Sequence, residues 1–343
     1  MSVALPGVPA YPAALSAPFP WFGGKRRVAD RVWEALGDPG GYVEPFAGSA
    51  AVLLARRLRG RRVETINDAD GWLVNVWRAI QLAPDATAAF ARGPVTEIDY
   101  HARLAWLQER RNADLVAWLE GDPEHCDAKA AGWWLYVTAC GIGDPFGGGP
   151  WCVVDGYLRD SRELPHLGNA GQGVNRELPH LGNAGQGVNR ELPHLGDAGQ
   201  GALGDYMRAL AARLSRVRIT CGDWTRVLTP SVARASAGSS VTGVFLDPPY
   251  ATSGDLYAEH RPGIATDVRD WCAAAPPAYR IVLCGYDTDH DALLPLGWRK
   301  EAGRAGGGSG YSTNPRAGRR ERLWLSPACL GDDLLSLLGE NVI

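Results

Sequence analysis

An α/β fold is the class this sequence predicts, and three observations point to it. The β-prone stretches YVEPF, starting at Tyr42, and RVETIN, ending at Asn67, flank the apolar, helix-prone SAAVLLARRL, which makes one strand, helix, strand unit. A second block of the same character opens near Val217 and runs through RVRITCGDW, VTGVFLDPPY, TDVRDWCAAA, YRIVLCGY and RERLWLSP. Apolar residues make up 45% of the chain and charged residues 21%, a balance that supports a buried core. Strands alternating with helices imply a mainly parallel sheet covered on both faces.

Length adds a second module. At 343 residues the chain exceeds the usual single-core size. Between the two α/β blocks lie helical stretches, HARLAWLQERRNADLVAWLEG and AKAAGWWLYVTAC, followed by the glycine-rich GIGDPFGGGPW. The expectation is a discontinuous main domain, residues 1–70 and 215–343, carrying a largely helical insertion at 71–214. Inside the insertion, residues 162–201 repeat a unit of period 14: RELPHLGNAGQGVN at Arg162–Asn175 and Arg176–Asn189, then RELPHLGDAGQG at Arg190–Gly201. Each unit is too poor in apolar residues to bury a core alone, so the array is either stacked turns or a loop, and it offers a surface for self-association. His166, His180 and His194 recur only because the unit does, and no metal site is expected from them.

Composition excludes several classes. Seven scattered cysteines without a C-x-x-C pair indicate neither a disulfide framework nor zinc ligation. The proline-rich start lacks the pattern of a signal peptide, and no window approaches a spanning helix, so a soluble cytoplasmic protein without membrane partners is expected. A net charge of −3 argues against a chain coated in positive charge, although nucleic-acid binding needs only a local basic face. Arg56, Arg57, Arg59, Arg61 and Arg62 form one basic cluster and Arg316, Arg319, Arg320 and Arg322 another. Each reads as a solvated face unless other features point to phosphate.

The candidate centre is Asp247-Pro248-Pro249-Tyr250, directly after the apolar strand GVFL. That places it at the carboxyl end of a sheet strand, where open α/β sheets build their sites. Each proline fixes its own φ and restricts its predecessor, so the turn is stiff. Such a turn holds a carboxylate acceptor, a carbonyl acceptor and an aromatic ring together.

Four ordered motifs, Phe19-Pro20-Trp21-Phe22-Gly23-Gly24-Lys25, Glu44-Pro45-Phe46-Ala47-Gly48, Asn67-Asp68 and Asp247-Pro248-Pro249-Tyr250, together resemble the Dam-type, alpha-group adenine-N6 DNA methyltransferases. IVLCGY at Ile281–Tyr286 and RRERLWLSP at Arg319–Pro327 extend the resemblance, while the insertion is poorly covered and its repeat suggests a phage-like variant. The resemblance implies a Rossmann-like S-adenosylmethionine-dependent sheet with an inserted target-recognition domain, double-stranded DNA as partner, and a bacterial or phage-encoded protein of the restriction-modification kind. It implies that Asp247 and the Pro248 carbonyl accept the two N6 hydrogens of an adenine, that Tyr250 stacks on this flipped base, and that methyl transfer is a direct in-line displacement.

It also implies cofactor positions. Trp21 and Lys25 match the first motif, whose other reading is a helix-start turn. Glu44, Phe46 and Gly48 match the loop beneath the methionine part of the cofactor. Here the sequence departs from the pattern, because Ala50 stands where that family often has glycine. Asp68, about 20 residues beyond the loop, matches an acid on ribose hydroxyls, or else is a surface strand end. Asp223, with Trp224, resembles the pair at the cofactor adenine, or else is a structural turn, and Asp247 borders the same site. Arg103, Arg110, Arg111, Trp133, Trp134 and Trp151 suit DNA contact, although aromatic residues at helical spacing also form cores. Cytosine-N4 or RNA methylation, and a catalytically silent DNA-binding or assembly protein, are the competing readings.

Overall fold

The computed structural model describes residues 15–19, 21, 24–57, 63–93, 96–110, 114–122, 124–140, 146, 151–154, 157–160, 201–231, 241–249, 263–277, 279–303 and 320–330. Tyr250, the repeat up to residue 200, Arg111, and Arg59, Arg61, Arg62, Arg316 and Arg319 lie outside them.

Seven strands form one sheet in the order β5-β2-β1-β6-β7-β9-β8. They are β1 (Gly41–Glu44), β2 (Val63–Asp68), β5 (Val217–Cys221), β6 (Thr242–Leu246), β7 (Arg280–Tyr286), β8 (Arg299–Ala302) and β9 (Glu321–Leu325). β1 pairs in parallel with β2 on one side and β6 on the other, and β5 and β7 extend those pairings in parallel. β9 runs antiparallel to β7 and to β8. The strand order therefore reverses at β1 and β6, which opens a crevice beyond their carboxyl ends. The predicted α/β class, with a mostly parallel sheet, is what the chain adopts.

Strand side chains alternate between two cores, as period two requires. Tyr42, Phe245, Val282, Cys284, Leu323 and Leu325 enter one core; Val43, Val244, Leu246, Ile281, Leu283 and Trp324 enter the other. Helices α1 (Ala29–Leu36) and α2 (Ala51–Ala55) contribute to the first core. Between β2 and β5 come α3 (Gly71–Leu82), α4 (Pro84–Ala91), α5 (Glu97–Glu109), α6 (Asp114–Gly121), α7 (Ala128–Cys140), an antiparallel pair β3 (Trp151–Val154) and β4 (Tyr157–Asp160), and α8 (Gly201–Leu214). Residues of α3, α4, α7 and α8 continue that first core without a break. Helix α9 (Ile264–Ala274) covers the opposite core through Val268 and Cys272.

Local chemistry sets the helix starts. Asp70 caps α3 by accepting from the amides of Trp72 and Leu73, at 2.8 and 3.4 Å. Thr96 caps α5 through the Asp99 amide at 3.0 Å. Both satisfy donors that a helix start leaves without partners. Cys126, Cys140, Cys221, Cys272, Cys284 and Cys329 are thiols, and all but Cys126 are buried. Among the described residues, no helix is long and apolar enough to cross a membrane.

One basic residue departs from the surface expectation. Arg56 is buried, its guanidinium at 3.3 Å from Glu64 and 3.2 Å from Asp38, and stacked 4.8 Å from the centroid of the Trp33 ring. Glu64 also receives Arg213 of α8 at 2.6 and 3.0 Å, and Arg213 donates to the Leu53 carbonyl at 2.8 Å. Arg56 is drawn inward onto a carboxylate, whereas Arg57 is exposed. Removing Glu64 would leave two guanidinium groups buried without their shared counter-charge. Glu64→Ala is expected to lower unfolding free energy by about 3–5 kcal/mol, measurable by denaturant titration.

Candidate active site

Each parallel strand delivers its last residues to the same edge of the sheet. β1 ends in Glu44, β2 in Asp68 and β7 in Tyr286, while β6 is followed at once by Asp247. β9 is antiparallel, so its first residue, Glu321, reaches that edge too, paired opposite Tyr286. Among the predicted site residues, Lys25 and Asp247 come together from distant parts of the chain. The Lys25 ammonium, 7% exposed, lies 3.0 Å from Asp247 Oδ2 and 2.9 Å from Glu321 Oε1. A buried ammonium requires such partners, because desolvation would otherwise favour its neutral form. Pro248 is buried.

Glu44 is buried as well, with one carboxyl oxygen accepting from the Tyr42 hydroxyl at 2.9 Å and the Leu53 amide at 3.2 Å. The second contact has a local cause. Ala50 starts α2 and offers no side-chain cap, so Glu44 supplies the missing acceptor to the helix's first turn. Burial above all, with Asp247 and Glu64 nearby, pushes the Glu44 carboxyl up to about 8.

The loop from Pro45 to Ser49 is tied down at several points. Asn67 donates to the Pro45 carbonyl at 3.1 Å and the Gly222 carbonyl at 2.9 Å, and its own carbonyl accepts from Ala47 at 2.9 Å. Asp68 accepts from Gly48 N at 2.9 Å with one oxygen and from Asp70 N at 3.0 Å with the other. Partial burial raises its carboxyl to about 6, against the lowering effect of those amide bonds. Trp77 donates its indole N–H to the Gly48 carbonyl at 3.0 Å. Gly48 has φ +48, and a Cβ there would lie 2.5 Å from the indole nitrogen of Trp21, so this position requires glycine. Ala50, two residues on, is also left-handed, at φ 49. The departure at Ala50 therefore leaves the loop conformation in place at the cost of local strain.

Trp21 covers Gly48 and packs edge-on against Phe19, with centroids 6.0 Å apart. Phe46 stacks on Trp224, with centroids 6.0 Å apart and planes 29° apart. Trp224 is buried, and its indole nitrogen has no hydrogen-bond partner among the described residues. Asp223 is exposed and caps the following 3-10 turn by accepting from the Thr225 amide at 3.0 Å. Asp223 is thus exposed, whereas Lys25 and Glu44 are buried and Asp247 is partly so.

Sequence reasoning missed Glu321, Asn67 as a cross-loop tie, Tyr42 and Trp77. The pairing of Asn67 with Asp68 in one motif was the available signal for Asn67; Glu321 lies within RRERLWLSP, where nothing singles it out from its neighbours. Of the residues suited to DNA contact, Trp134 is buried against Phe19, with centroids 5.0 Å apart. Arg110 stacks on Trp106 at 4.0 Å, Lys129 on Trp133 at 4.4 Å and Arg103 on Tyr136 at 3.8 Å. The side chain of Trp151 is not described. Among the described residues, no group of His, Cys, Asp and Glu could hold a metal ion.

A doubly covered, mostly parallel sheet with an acid-rich crevice at its switch point is consistent with a methyltransferase fold. Residues 21–96 match the model of the D12 class N6 adenine-specific DNA methyltransferases. This span holds Trp21, Lys25, Glu44, Phe46, Gly48 and Asp68, and ends before Asp247. The match supports a DNA methyltransferase, with adenine methylation as its chemistry. No curated protein matches the chain.

Glu44 yields a pH prediction. An acid with a folded value near 8 and an unfolded value near 4.5 keeps its proton longer in the folded protein. Its contribution to stability is full below about 4.5 and is lost as pH rises through about 8. Glu44→Gln keeps an acceptor for Tyr42 and Leu53 but cannot ionise. Relative to wild type, its unfolding free energy should rise with pH between 5 and 8, by up to about 1.4 kcal/mol per pH unit, measured by denaturant titration across that range.

Proposed function

We propose that the protein is an S-adenosylmethionine-dependent DNA methyltransferase acting on adenine N6, with Asp247 as its principal acceptor. The observation that carries this reading is Asp247 at the carboxyl end of β6, held by the buried Lys25 ammonium beside the crevice. The D12 match over residues 21–96 supports it from the other half of the site.

Residues on the crevice edge fit the cofactor. The glycine at position 48 lets Trp21 lie directly on the loop after β1, and Trp224 brings a buried N–H without a partner among the described residues. Trp21, Lys25, Glu44, Phe46, Gly48, Asp68, Asp223 and Asp247 are the residues assigned to holding it. Asp68 still has acceptor capacity for ribose hydroxyls, since an ionised carboxylate offers about four lone-pair sites. S-adenosylmethionine, when bound, supplies an electrophilic methyl group on a cationic sulfur.

An exocyclic aromatic amine is a weak nucleophile, because its lone pair is delocalised into the ring. Asp247 accepts one N6 hydrogen and the Pro248 carbonyl accepts the other, which orients the amine and offsets the positive charge that develops on it. Tyr250 stacks on the base, which has to leave the duplex because N6 lies within the pairing face. Direct in-line transfer then needs no covalent intermediate on the protein. The segment 71–214 is assigned to target recognition, and its repeat to a role outside cofactor binding.

Asp247→Ala should reduce methyl transfer at least about 1000-fold while DNA binding stays largely intact, as read by labelled-methyl incorporation and a filter-binding assay. Mapping modified positions on DNA from cells expressing the wild-type protein should find methyl groups on adenine N6. Label on cytosine or only on RNA would replace the substrate assignment, and no label on any nucleic acid would favour a silent binding protein.

A further inference from the structure

Two helices of the segment between β2 and β5 bring cations and aromatic rings together in one row. Arg103, Trp106 and Arg110 stand at i, i+3 and i+7 along α5 and its C-terminal cap, so they share a face of that helix. Lys129, Trp133 and Tyr136 do the same along α7, at i, i+4 and i+7. The two faces meet. The Arg103 guanidinium lies 3.8 Å from the Tyr136 centroid and 5.8 Å from that of Trp133. Lys129 Nζ sits 4.4 Å from the Trp133 centroid and 4.7 Å from that of Trp106, and Arg110 lies 4.0 Å over Trp106. The two indoles pack edge-on, with centroids 4.9 Å apart.

Elsewhere the protein gives its cations carboxylates: Lys300 takes both oxygens of Asp291, at 2.8 and 2.9 Å, and Arg31 takes Glu301 at 2.6 Å. Here the partners are rings. Among the described residues, neither Lys129 nor Arg103 forms an ion pair, and Arg110 has the exposed Glu109, at 3.8 Å. Other acids of the same two helices serve local contacts. Asp99 accepts from the Thr96 hydroxyl at 2.6 Å, Glu97 lies 3.7 Å from His101, and Asp127 accepts from the Ala130 amide at 2.8 Å at the start of α7. A ring face holds a guanidinium flat and leaves its in-plane N–H groups to other acceptors, whereas a carboxylate would take them.

We propose that this row grips the phosphate backbone of duplex DNA, with Lys129 and Arg110 as the phosphate contacts and Trp106 and Trp133 as the rings that hold them in place. From Arg103 to Arg110 the helix rises about 10 Å, roughly three steps of a DNA strand at about 3.4 Å each. Phosphate contacts fix where the duplex lies and carry no sequence information, so the row positions DNA for whichever residues read the target. Its place in the fold suits that task. Trp134, next to Trp133 on α7, is buried against Phe19, and Phe19 packs on Trp21 at the candidate site. The inference rests on the DNA methyltransferase reading for its choice of polyanion, and its test separates the two.

The experiment uses the full-length protein as wild type, Lys129→Met, Arg110→Gln, the double variant and Lys129→Arg. Lys129→Met keeps an unbranched apolar stem on the two indoles and removes the charge. Fluorescence anisotropy measures binding to labelled duplexes of several unrelated sequences between about 50 and 200 mM salt, thermal unfolding checks the fold, and methyl transfer is assayed in parallel. Each single loss of charge should weaken binding about five- to tenfold on every duplex. The slope of log affinity against log salt should become shallower by about 1, and by about 2 in the double variant. Lys129→Arg should stay within about twofold of wild type. Folded variants with wild-type affinity and salt dependence overturn the proposal and leave the row to an acidic protein or to packing. So does a loss confined to one duplex, which marks base reading, or a loss with an unchanged salt slope that Lys129→Arg does not restore, which marks a structural side chain. Should Lys129→Met fail to fold, the exposed Arg110→Gln decides by the same slope. A wild-type protein that binds duplexes through this row but transfers no methyl group defeats the methyltransferase reading and leaves the grip standing.

Discussion

The site depends on one buried cation. Moving a lysine ammonium out of water is costly unless carboxylates take its place in the hydration shell, and Lys25 has two of them within 3.0 Å. Its position in the chain gives this requirement its reach. Lys25 sits in a short 3-10 turn ahead of α1, Asp247 follows the central strand β6, and Glu321 begins the antiparallel β9. Satisfying one ammonium therefore brings the amino-terminal motif onto the sheet and orients the carboxylate beside the crevice.

A second set of constraints shapes the neighbouring loop. Asn67 bonds to Pro45, Ala47 and Gly222, while Asp68 takes the Gly48 amide and Trp77 takes the Gly48 carbonyl. Backbone groups of a buried loop need partners, and here the last residues of β2 supply most of them. Asp68 consequently has a structural duty, whatever else it binds. Glu44 is similar: it completes the start of α2 because Ala50 cannot.

Much of this was legible in the sequence, for reasons that are local. The stretch before Asp247 reads as a strand because it is apolar and β-prone, and a strand followed by Asp-Pro-Pro must end at a stiff turn. Glu44 and Gly48 were legible through the motif on which the resemblance rests, and Asp68 also through its spacing of about 20 residues from that loop. Glu321 was not, since its importance comes from strand direction, and a sequence does not announce that its last strand is inverted. Arg56 reads as surface beside four other arginines, but a carboxylate on the adjacent strand draws it inward. The helices between β2 and β5 were expected from their periodicity, whereas their continuity with the sheet's own core depends on packing that no single segment encodes. Asp223 shows the converse: the structural turn that the sequence allows there is visible as a cap on the Thr225 amide.

The antiparallel course of β9 also bears on how the molecule acquires its site in time. Lys25 and Glu321 come from opposite ends of the described chain, so their contact closes nearly the longest loop the fold contains, and such closures come late because their entropy is lost before contacts compensate for it. A nascent chain still lacking its last strands would carry most of the sheet but an incomplete charge cluster.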